Sequence, residues 1–482
     1  MLRGYVRRIR PLDILTQEQL DQIHTETLEV LERTGINFLH KKTLELMKDK
    51  GCRVDFDRKR VKIPSWLVEE CIRRVPSSFK IRSRERKSDL RVGGNRLYYL
   101  AGAGMRIVDL DTWEARAATL EELDEASVVN DALDSVHIVA DTGPYTDIVG
   151  VPPIMSSLVD IASHLRNTTK VTIADNGNDY ETFHIKMAEV AGCDMLAFLG
   201  SSAPLTYDEA TCEAAFRYSK AGFPFFLISS DMMGGTSPAT IAGSLVTTNV
   251  EILAGVVMLQ LIRPGSGIIA GDYAMPLDMR SGHPSFCDLG SALHTVAFNQ
   301  TMRRYEIPAF ANCPGMSSSK EIDVQSGYER SMSTLSAALS GANMIVLHGT
   351  IYGEYTYHPV GAVLDDDVAS WVGRLLEGFE MNDETLAVDL IDDVGPIPGS
   401  YLNTAHTRKW WKNERFMPKA ADRLTYPEWM KTGKKTALDY AKERVKEILR
   451  THKVTNLTEE QDKEIDKILK DAHAYYKKKG LL

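Results

Sequence analysis

A loop carrying three tyrosines follows a short apolar segment and holds residue types that could bind a ligand. Residues 344–347 are apolar and predict a buried strand, which ends at His348. The loop behind it carries Tyr352, Tyr355 and Tyr357. Ring faces attract positive charge, while a phenol or an imidazole can fix a polar end of the same ligand. The pattern fits a site for a small organic cation, and it equally fits a loop whose tyrosines pack against their neighbours.

Length and composition limit the kind of protein that presents this loop. At 482 residues the chain exceeds the usual size of one compact core, which predicts one large domain with appended elements. The net charge of −9 gives no basic footprint, which argues against nucleic acid as a partner. Six cysteines lie far apart and form no CxxC, so we expect reduced, packed thiols and no zinc site.

No segment predicts secretion or a membrane span. The basic start, MLRGYVRRIRPLD, lacks the apolar core of a secretion signal. The longest apolar stretch, residues 246–262, is interrupted by Asn249, Glu251 and Gln260. We therefore expect a cytoplasmic protein without a membrane partner.

Short apolar runs alternate with segments of helical length through the middle of the chain. Continuous apolar strands indicate burial on both faces, hence a parallel sheet covered by helices. The seven runs are Val136–Ala140, Lys170–Ala174, Met195–Leu199, Pro224–Ile228, Gly267–Ala270, Pro308–Ala311 and Met344–Leu347.

Seven such units predict an α/β fold, a (β/α)8 TIM-type barrel. The eighth strand comes from Leu97–Ala101 or from Ala387–Ile391. A doubly wound open sheet is the alternative, although no GxGxxG follows an early strand. The runs end in small or polar residues, as in Asp141-Thr-Gly, Asp175-Asn-Gly and Asn312-Cys-Pro-Gly. In a barrel these ends gather on one face, where active sites are built.

The regions on either side of the barrel differ from it in sequence pattern. Residues 1–90 predict an N-terminal attachment of helices and small strands, with helices near 16–34 and 41–50. Residues 91–399 form the predicted barrel domain. Residues 400–482 predict a helical tail with two charged amphipathic helices, near 435–451 and 458–479. The tail is a solvated face or a docking surface for an acidic partner protein.

Several segments resemble one known family. They are Tyr99–Arg116 with Ala118–Leu123, His164–Lys170, Gly315–Arg330 running on to Asn343, and a C-terminal set of Phe416-Met-Pro, Asp422-Arg and Trp429. Together they resemble the trimethylamine methyltransferase superfamily, whose members pass a methyl group from an amine to a separate corrinoid protein. The founding members use pyrrolysine, and this sequence has none.

The resemblance implies the branch of the family that acts on quaternary amines without pyrrolysine, and within it the chain looks most like glycine betaine:corrinoid methyltransferases. It also implies a corrinoid (cobalamin) carried by a partner protein, with no cofactor held tightly by this chain. We expect a homo-oligomer. Because a quaternary ammonium already carries a good leaving group, we expect no side-chain nucleophile and no metal site.

Glycine betaine would need both a carboxylate donor and an aromatic cage. The expected donors are His348, Asn312 and Arg280, since charge-assisted hydrogen bonds add about 1.5–3 kcal/mol each. The expected cage is Tyr99, Tyr355 and Tyr357, followed by Tyr98, Tyr352 and Phe310. Because Tyr98 and Tyr99 are adjacent, only one of them can face inward from a strand.

Other assignments remain open at this point. Asp231, Asp272 and Asp323 could face the cation, or could cap turns and orient other polar groups. A non-catalytic binding protein for quaternary amines would show the same residues. A barrel lyase or aldolase with Lys170 or Lys320 as Schiff-base nucleophile is a third hypothesis.

Overall fold

Eight short segments pair side by side as parallel strands in this computed structural model, which describes residues 1–140 and 145–482. The last strand pairs with the first, Met344 opposite Tyr98, so the sheet closes into a barrel. The strands are β1 (Arg96–Ala101), β2 (Val136–Val139), β3 (Val171–Ala174), β4 (Leu196–Gly200), β5 (Phe225–Ser229), β6 (Ile268–Asp272), β7 (Ala309–Ala311) and β8 (Met344–His348).

A helix follows each strand and covers the outside of the barrel. These helices are α1 (Leu120–Ala132), α2 (Ser156–Asn167), α3 (Tyr180–Ala191), α4 (Glu209–Ala221), α5 (Ile241–Ile262), α6 (Leu289–Arg304), α7 (Val324–Ser340) and α8 (Pro359–Glu377). The predicted (β/α)8 barrel is confirmed, and closure excludes the open doubly wound sheet. The first candidate for the eighth strand is β1. The second is wrong, because Val388–Val394 is a helix.

Alternate side chains of the strands fill the inside of the barrel. Tyr98 and Leu100 point inward from β1, while Tyr99 points outward to the helix layer. The hairpin of Ser78–Ile81 and Leu90–Gly93 closes the amino-terminal end, where the Tyr98 hydroxyl donates to the Arg91 carbonyl at 3.2 Å. The lumen is therefore packed at its base and can open only at the carboxyl ends of the strands.

The N-terminal region packs over α5. Its helices Gln17–Arg33 and Lys41–Asp49 lie close to the predicted ranges, whereas the helix Ser65–Arg74 was not predicted. Its strands Ile36–Phe38, Arg53–Asp55 and Arg60–Lys62 form a sheet that Thr206–Tyr207, from the loop after β4, extends. The expected boundary at residue 90 falls at the start of the strand Leu90–Gly93, and the division into three regions stays a prediction.

Helix α5 is long and apolar enough to span a membrane by composition alone. However, 78% of its most apolar window is buried inside the protein. Two of its polar side chains have partners inside the protein, since Asn249 Nδ2 donates to the Tyr305 hydroxyl at 2.9 Å and the Glu251 carboxylate accepts from the Ser229 hydroxyl at 2.9 Å. A helix that is apolar on all sides is expected where the barrel covers one face and the N-terminal helices cover the other. We interpret α5 as a core helix.

The C-terminal region divides into an exposed part and a packed part. Between residues 383 and 431 lie the helices Asp383–Leu386, Val388–Val394, Ala405–Glu414 and Tyr426–Lys431, none of which contains a buried residue. The two predicted amphipathic helices are Ala437–Thr451, packed on α1 and α8, and Glu459–Lys478, packed on α3. Arg166 of α2 pairs with Asp462 at 2.6 Å and with Asp466 at 2.7 Å.

Candidate active site

A cavity of about 250 Å³ opens at the carboxyl ends of the barrel strands. This is the face where barrel enzymes build their sites. Its volume lies below the roughly 300–1,000 Å³ typical of sites for drug-sized ligands, so the expected ligand is small. The lining residues are Leu100, Ala103, Ala140, Ile173, Asp175, Phe198, Phe226, Ile228, Ser230, Tyr273, Phe310, Asn312, Val346 and Glu354.

Three phenylalanines form one aromatic wall of the cavity. Phe226 lies between the others, with its ring centroid 5.7 Å from that of Phe198 and 4.6 Å from that of Phe310, in edge-to-face contacts. Gly271 makes room for this arrangement, because a Cβ atom there would lie 2.7 Å from the Phe310 ring. The wall therefore depends on both the inward alternation of the strands and a glycine on the neighbouring strand.

Two carboxyl groups face the same cavity. Asp175 follows β3 and accepts a hydrogen bond from the Asn176 backbone N–H at 2.8 Å. Burial raises the pKa of Asp175 to about 6, although the hydrogen bond from Asn176 acts to lower that pKa. Burial also raises the pKa of Glu354, whose Oε2 accepts a hydrogen bond from the Tyr273 hydroxyl at 2.8 Å. Both groups are held by few partners, so a bound cation would stabilise their ionised forms.

The loop behind β8 turns Glu354 into the cavity through its backbone conformation. Tyr352 and Gly353 both have positive φ, at 52° and 62°. The Gly353 N–H donates to the Ser317 carbonyl at 2.9 Å, and a Cβ atom at Gly353 would meet the Phe286 ring at 2.6 Å. This tight turn directs Glu354 inward and leaves Tyr355 46% exposed.

His348 lies outside the cavity, contrary to our expectation. The pairing of β8 with β1 shifts register between Val346 and His348, and the imidazole lies in the helix layer. Its Nε2 is 2.9 Å from the Ser135 hydroxyl, and its ring makes an edge contact with Tyr99. Burial lowers the pKa of His348 to about 3, so the ring is neutral at physiological pH. It cannot act as a charged carboxylate donor.

The expected tyrosine cage is also dispersed. Tyr99 is fully buried in the helix layer, and Tyr98 lies at the closed base of the barrel. Tyr357 is fully buried and donates to the Asn130 side chain at 2.8 Å. Tyr352 and Tyr355 pack edge to face, away from the lining. Packing explains these tyrosines, because each has protein neighbours that occupy its ring or hydroxyl.

Of the three expected carboxylate donors, only Asn312 lines the cavity. Its Nδ2 is 3.5 Å from the Met316 sulfur, a weak acceptor. The Arg280 side chain is 93% exposed and pairs with Asp278 at 3.2 Å, on an extension beyond the barrel rim. Phe310, expected after the tyrosines, does line the cavity. Of the residues expected in the site, the cavity lining therefore contains the Asn312 amide and the Phe310 ring.

The three aspartates with open assignments act within the protein. Asp323 caps α7 by accepting from the Ser326 N–H at 2.8 Å. Asp231 accepts from Thr248, and Asp272 accepts from Thr295 and contacts His294 Nδ1 at 2.9 Å. None of the three lines the cavity.

The two lysines of the lyase hypothesis also lie elsewhere. Lys170 is buried and donates to the Asn130 and Leu133 carbonyls at 2.6 Å, while burial lowers its pKa to about 8. Lys320 lies 4.5 Å above the Tyr352 ring and donates to the Ser318 carbonyl. Neither amine faces the cavity, so the structure gives no support to a Schiff base there.

Six polar or aromatic lining residues were not among the expected site residues, and they are Asp175, Phe198, Phe226, Ser230, Tyr273 and Glu354. Asp175 and Tyr273 stand just beyond predicted strands, so their position was a usable signal. Glu354 stands among Tyr352, Tyr355 and Tyr357, whose rings the sequence pattern favoured as ligand contacts. Within residues 1–140 and 145–482, no group of three or more His, Cys, Asp or Glu side chains is arranged to hold a metal ion. The strand end at Asp141-Thr-Gly lies outside the described residues.

Comparisons with known proteins agree on one family. The family model for trimethylamine methyltransferase (MTTB) matches residues 1–475. A glycine betaine methyltransferase of Desulfitobacterium hafniense is 29% identical over 433 residues, 87% of this chain and 88% of the relative. The trimethylamine methyltransferase MttB of Methanosarcina thermophila is 29% identical over 92% of this chain and 94% of the relative.

A solved structure agrees on the fold. The monomethylamine methyltransferase MtmB of Methanosarcina barkeri superposes with a TM-score of 0.53 at 12% identity, covering 93% of this chain and 90% of MtmB. At that identity the likeness supports the barrel and nothing finer. The resemblance inferred from sequence segments is confirmed by the match along nearly the whole chain, and the protein belongs to the trimethylamine methyltransferase family.

Proposed function

We propose that this chain transfers a methyl group from a quaternary amine to Co(I) of a corrinoid carried by a partner protein. The single observation that carries the proposal is the barrel-mouth cavity, which combines aromatic faces with two carboxyl groups. Family membership supports methyl transfer, and the named relatives act on methylated amines.

The cavity lining matches a methylated ammonium ion. Such an ion carries its charge on methyl groups that cannot donate conventional hydrogen bonds, so ring faces and carboxylates are its natural partners. A cation–π contact contributes about 0.5–2 kcal/mol, and more where water is excluded. Phe226, Phe310 and Tyr273 supply rings, while Asp175 and Glu354 supply negative charge.

The reaction needs little from the side chains besides position. As the N–C bond breaks, its electron pair stays on nitrogen and gives a neutral tertiary amine, so no proton has to be delivered. The acceptor supplies the electron pair of the new Co–C bond. The chain therefore has to hold the methyl group in line with the acceptor, and catalysis by positioning can supply several kcal/mol of the barrier reduction.

Two kinds of quaternary amine are candidates. Glycine betaine, which would yield dimethylglycine, is supported by the name of the Desulfitobacterium relative. Carnitine and proline betaine are zwitterions of the same kind. A quaternary amine without a carboxylate, such as choline, is the second candidate, and the acidic lining of the cavity favours it.

The proposal is tested by mixing the protein with cobalamin reduced to Co(I) and a panel of quaternary amines. Growth of methylcobalamin absorbance that depends on both protein and amine supports methyl transfer. Arg280→Ala serves as a control. The substitution should leave the rate unchanged, because the Arg280 side chain is exposed and lies away from the cavity. Saturable amine binding without any transfer, even with the cognate corrinoid protein, would instead indicate a binding protein.

A further inference from the structure

The charged side chains that line the cavity are all acidic. Asp175 and Glu354 are its ionisable acids, and no Lys, Arg or His is among the lining residues that the structure describes. The undescribed residues 141–144 are Asp, Thr, Gly and Pro, so by sequence they carry no basic side chain either. A ligand in this cavity meets negative or neutral groups.

The basic side chains around the barrel mouth are engaged with other groups. Each has an acidic, carbonyl or aromatic partner that holds it in place. The pairs are Arg106 with Asp147 at 2.9 Å, Arg280 with Asp278 at 3.2 Å, Arg330 with Asp365 at 2.9 Å, and Lys320 with the Ser318 carbonyl at 2.8 Å. None of them is among the cavity lining.

The neutral donors in the lining are few. Asn312 has an amide that lies 3.5 Å from the Met316 sulfur and also interacts with the Tyr273 hydroxyl, and Ser230 has a hydroxyl. The Tyr273 hydroxyl is already donated to Glu354. Moving a carboxylate from water into such a cavity costs several kcal/mol unless a positive charge or several donors compensate for its lost hydration.

We propose that this site selects methylated ammonium ions that lack a carboxylate and discriminates against betaines. The inference rests on the proposed function, because it concerns the substrate of that same cavity. We expect choline and tetramethylammonium to bind at least about tenfold more tightly than glycine betaine, which corresponds to 1.4 kcal/mol.

A competing arrangement would have a protonated carboxyl group donate to the carboxylate of a betaine. The two arrangements predict opposite pH dependences. The titratable groups that line the cavity are Asp175, Glu354 and Tyr273. A simple cation prefers ionised carboxyls, so its affinity should rise with pH through about 6, the pKa of Asp175. A betaine held by a protonated carboxyl should instead bind more weakly as pH rises.

The experiment is calorimetric titration of the full chain with choline, tetramethylammonium and glycine betaine between pH 5 and 8. The matched variants are Glu354→Gln and Asp175→Asn, which keep side-chain size and remove charge. Each should lower choline affinity and bring the choline-to-betaine ratio at least about fivefold closer to one. Asp278→Asn removes a half-buried carboxylate outside the cavity and should leave the ratio unchanged.

The outcomes separate this inference from the proposed function. Glycine betaine binding as tightly as choline in the wild type, or affinity for choline falling as pH rises from 5 to 7, would overturn the selection. Tight choline binding with no methyl transfer to Co(I) cobalamin would leave the selection standing and remove the proposed function. Should either carboxyl variant fail to fold, the wild-type pH series with the three ligands still decides the matter.

Discussion

Near the carboxyl ends of the strands, polar groups are paired very differently on the two sides of the barrel wall. The inner side faces the cavity, and the outer side faces the helix layer. On the outer side, Arg330 binds Asp365 through Nε at 2.9 Å, and also the carbonyls of Gly315 and Thr350 at 2.8 Å. On the inner side, Glu354 is held by a single phenol. The outer groups are neutralised within the protein, whereas the inner groups are left for a ligand.

This difference shows how polar groups on the two sides of the barrel wall can serve different purposes. Those on the outer side stabilise the fold, and those on the inner side remain available to a ligand. Buried charges must be paired, because an unpaired one costs several kcal/mol. The outer network holds the loop bases of β7 and β8 together through Arg330. The inner carboxyls escape that cost by taking up protons more readily, as the raised pKa values of Asp175 and Glu354 indicate.

The largest effect is expected from breaking the outer pairing. Arg330→Met leaves Asp365 buried without its partner and should lower the free energy of unfolding by about 3–5 kcal/mol. The measurement is urea denaturation. The double variant with Asp365→Leu removes both charges and should recover part of the loss, since burying a lone charge is the dominant cost. A single variant as stable as wild type would contradict the scaffold assignment.

The second effect concerns the aromatic wall of the cavity. Phe226→Leu keeps an apolar side chain but removes the ring that lies between Phe198 and Phe310. We expect the affinity for tetramethylammonium to fall about twofold to thirtyfold, because one cation–π contact contributes about 0.5–2 kcal/mol. Calorimetric titration measures it.

Tyr355→Leu is the matched control for that experiment. It also replaces an aromatic residue by leucine, but on the exposed side of the loop. Its affinity for tetramethylammonium should stay within about twofold of wild type. A larger loss in Tyr355→Leu than in Phe226→Leu would restore the tyrosine cage predicted from sequence and would move the site outward from the cavity.

The fold could be predicted from the sequence because its signal is local and repeated. All seven apolar runs from Val136 to Leu347 became barrel strands, within about one or two residues at each end. Burial on both faces requires such runs, and the polar residues behind them mark the open face. The pairing that closes the barrel, β8 against β1, agrees with the first of the two candidates for the eighth strand.

The site could be predicted only in part because side-chain direction at strand ends is not a local property. Simple alternation would place His348 inside with Val346, but the shifted pairing with β1 puts it outside. Glu354 faces inward because of the positive φ values at Tyr352 and Gly353. Phe226 and Phe310 look like core residues in the sequence, and they are both core and lining. Asn312 was predicted from its position directly after β7, and it does line the cavity.

The finest test of the comparison is the pH dependence of stability on the outer side. Burial lowers the pKa of His348 to about 3, whereas an unfolded histidine has a pKa near its ordinary 6.5. Between these values the unfolded chain binds a proton that the folded chain does not. The contribution of His348 to stability is therefore present above about pH 6.5 and is lost progressively as pH falls.

Replacing His348 by Gln isolates this contribution. The amide can keep a hydrogen bond to Ser135 but cannot take up the proton. The free energy of unfolding of the wild type should fall between pH 6 and 5 by about 1.2 kcal/mol more than that of His348→Gln, because the unfolded histidine binds nearly one proton more than the folded one over this range. His137 and His184, whose pKa values burial also lowers to about 3, remain in both proteins and cancel in the difference. Parallel pH profiles for the two proteins would show that His348 takes up its proton in the folded protein as readily as in the unfolded chain, and this would contradict its assignment as a neutral ring buried on the outer side.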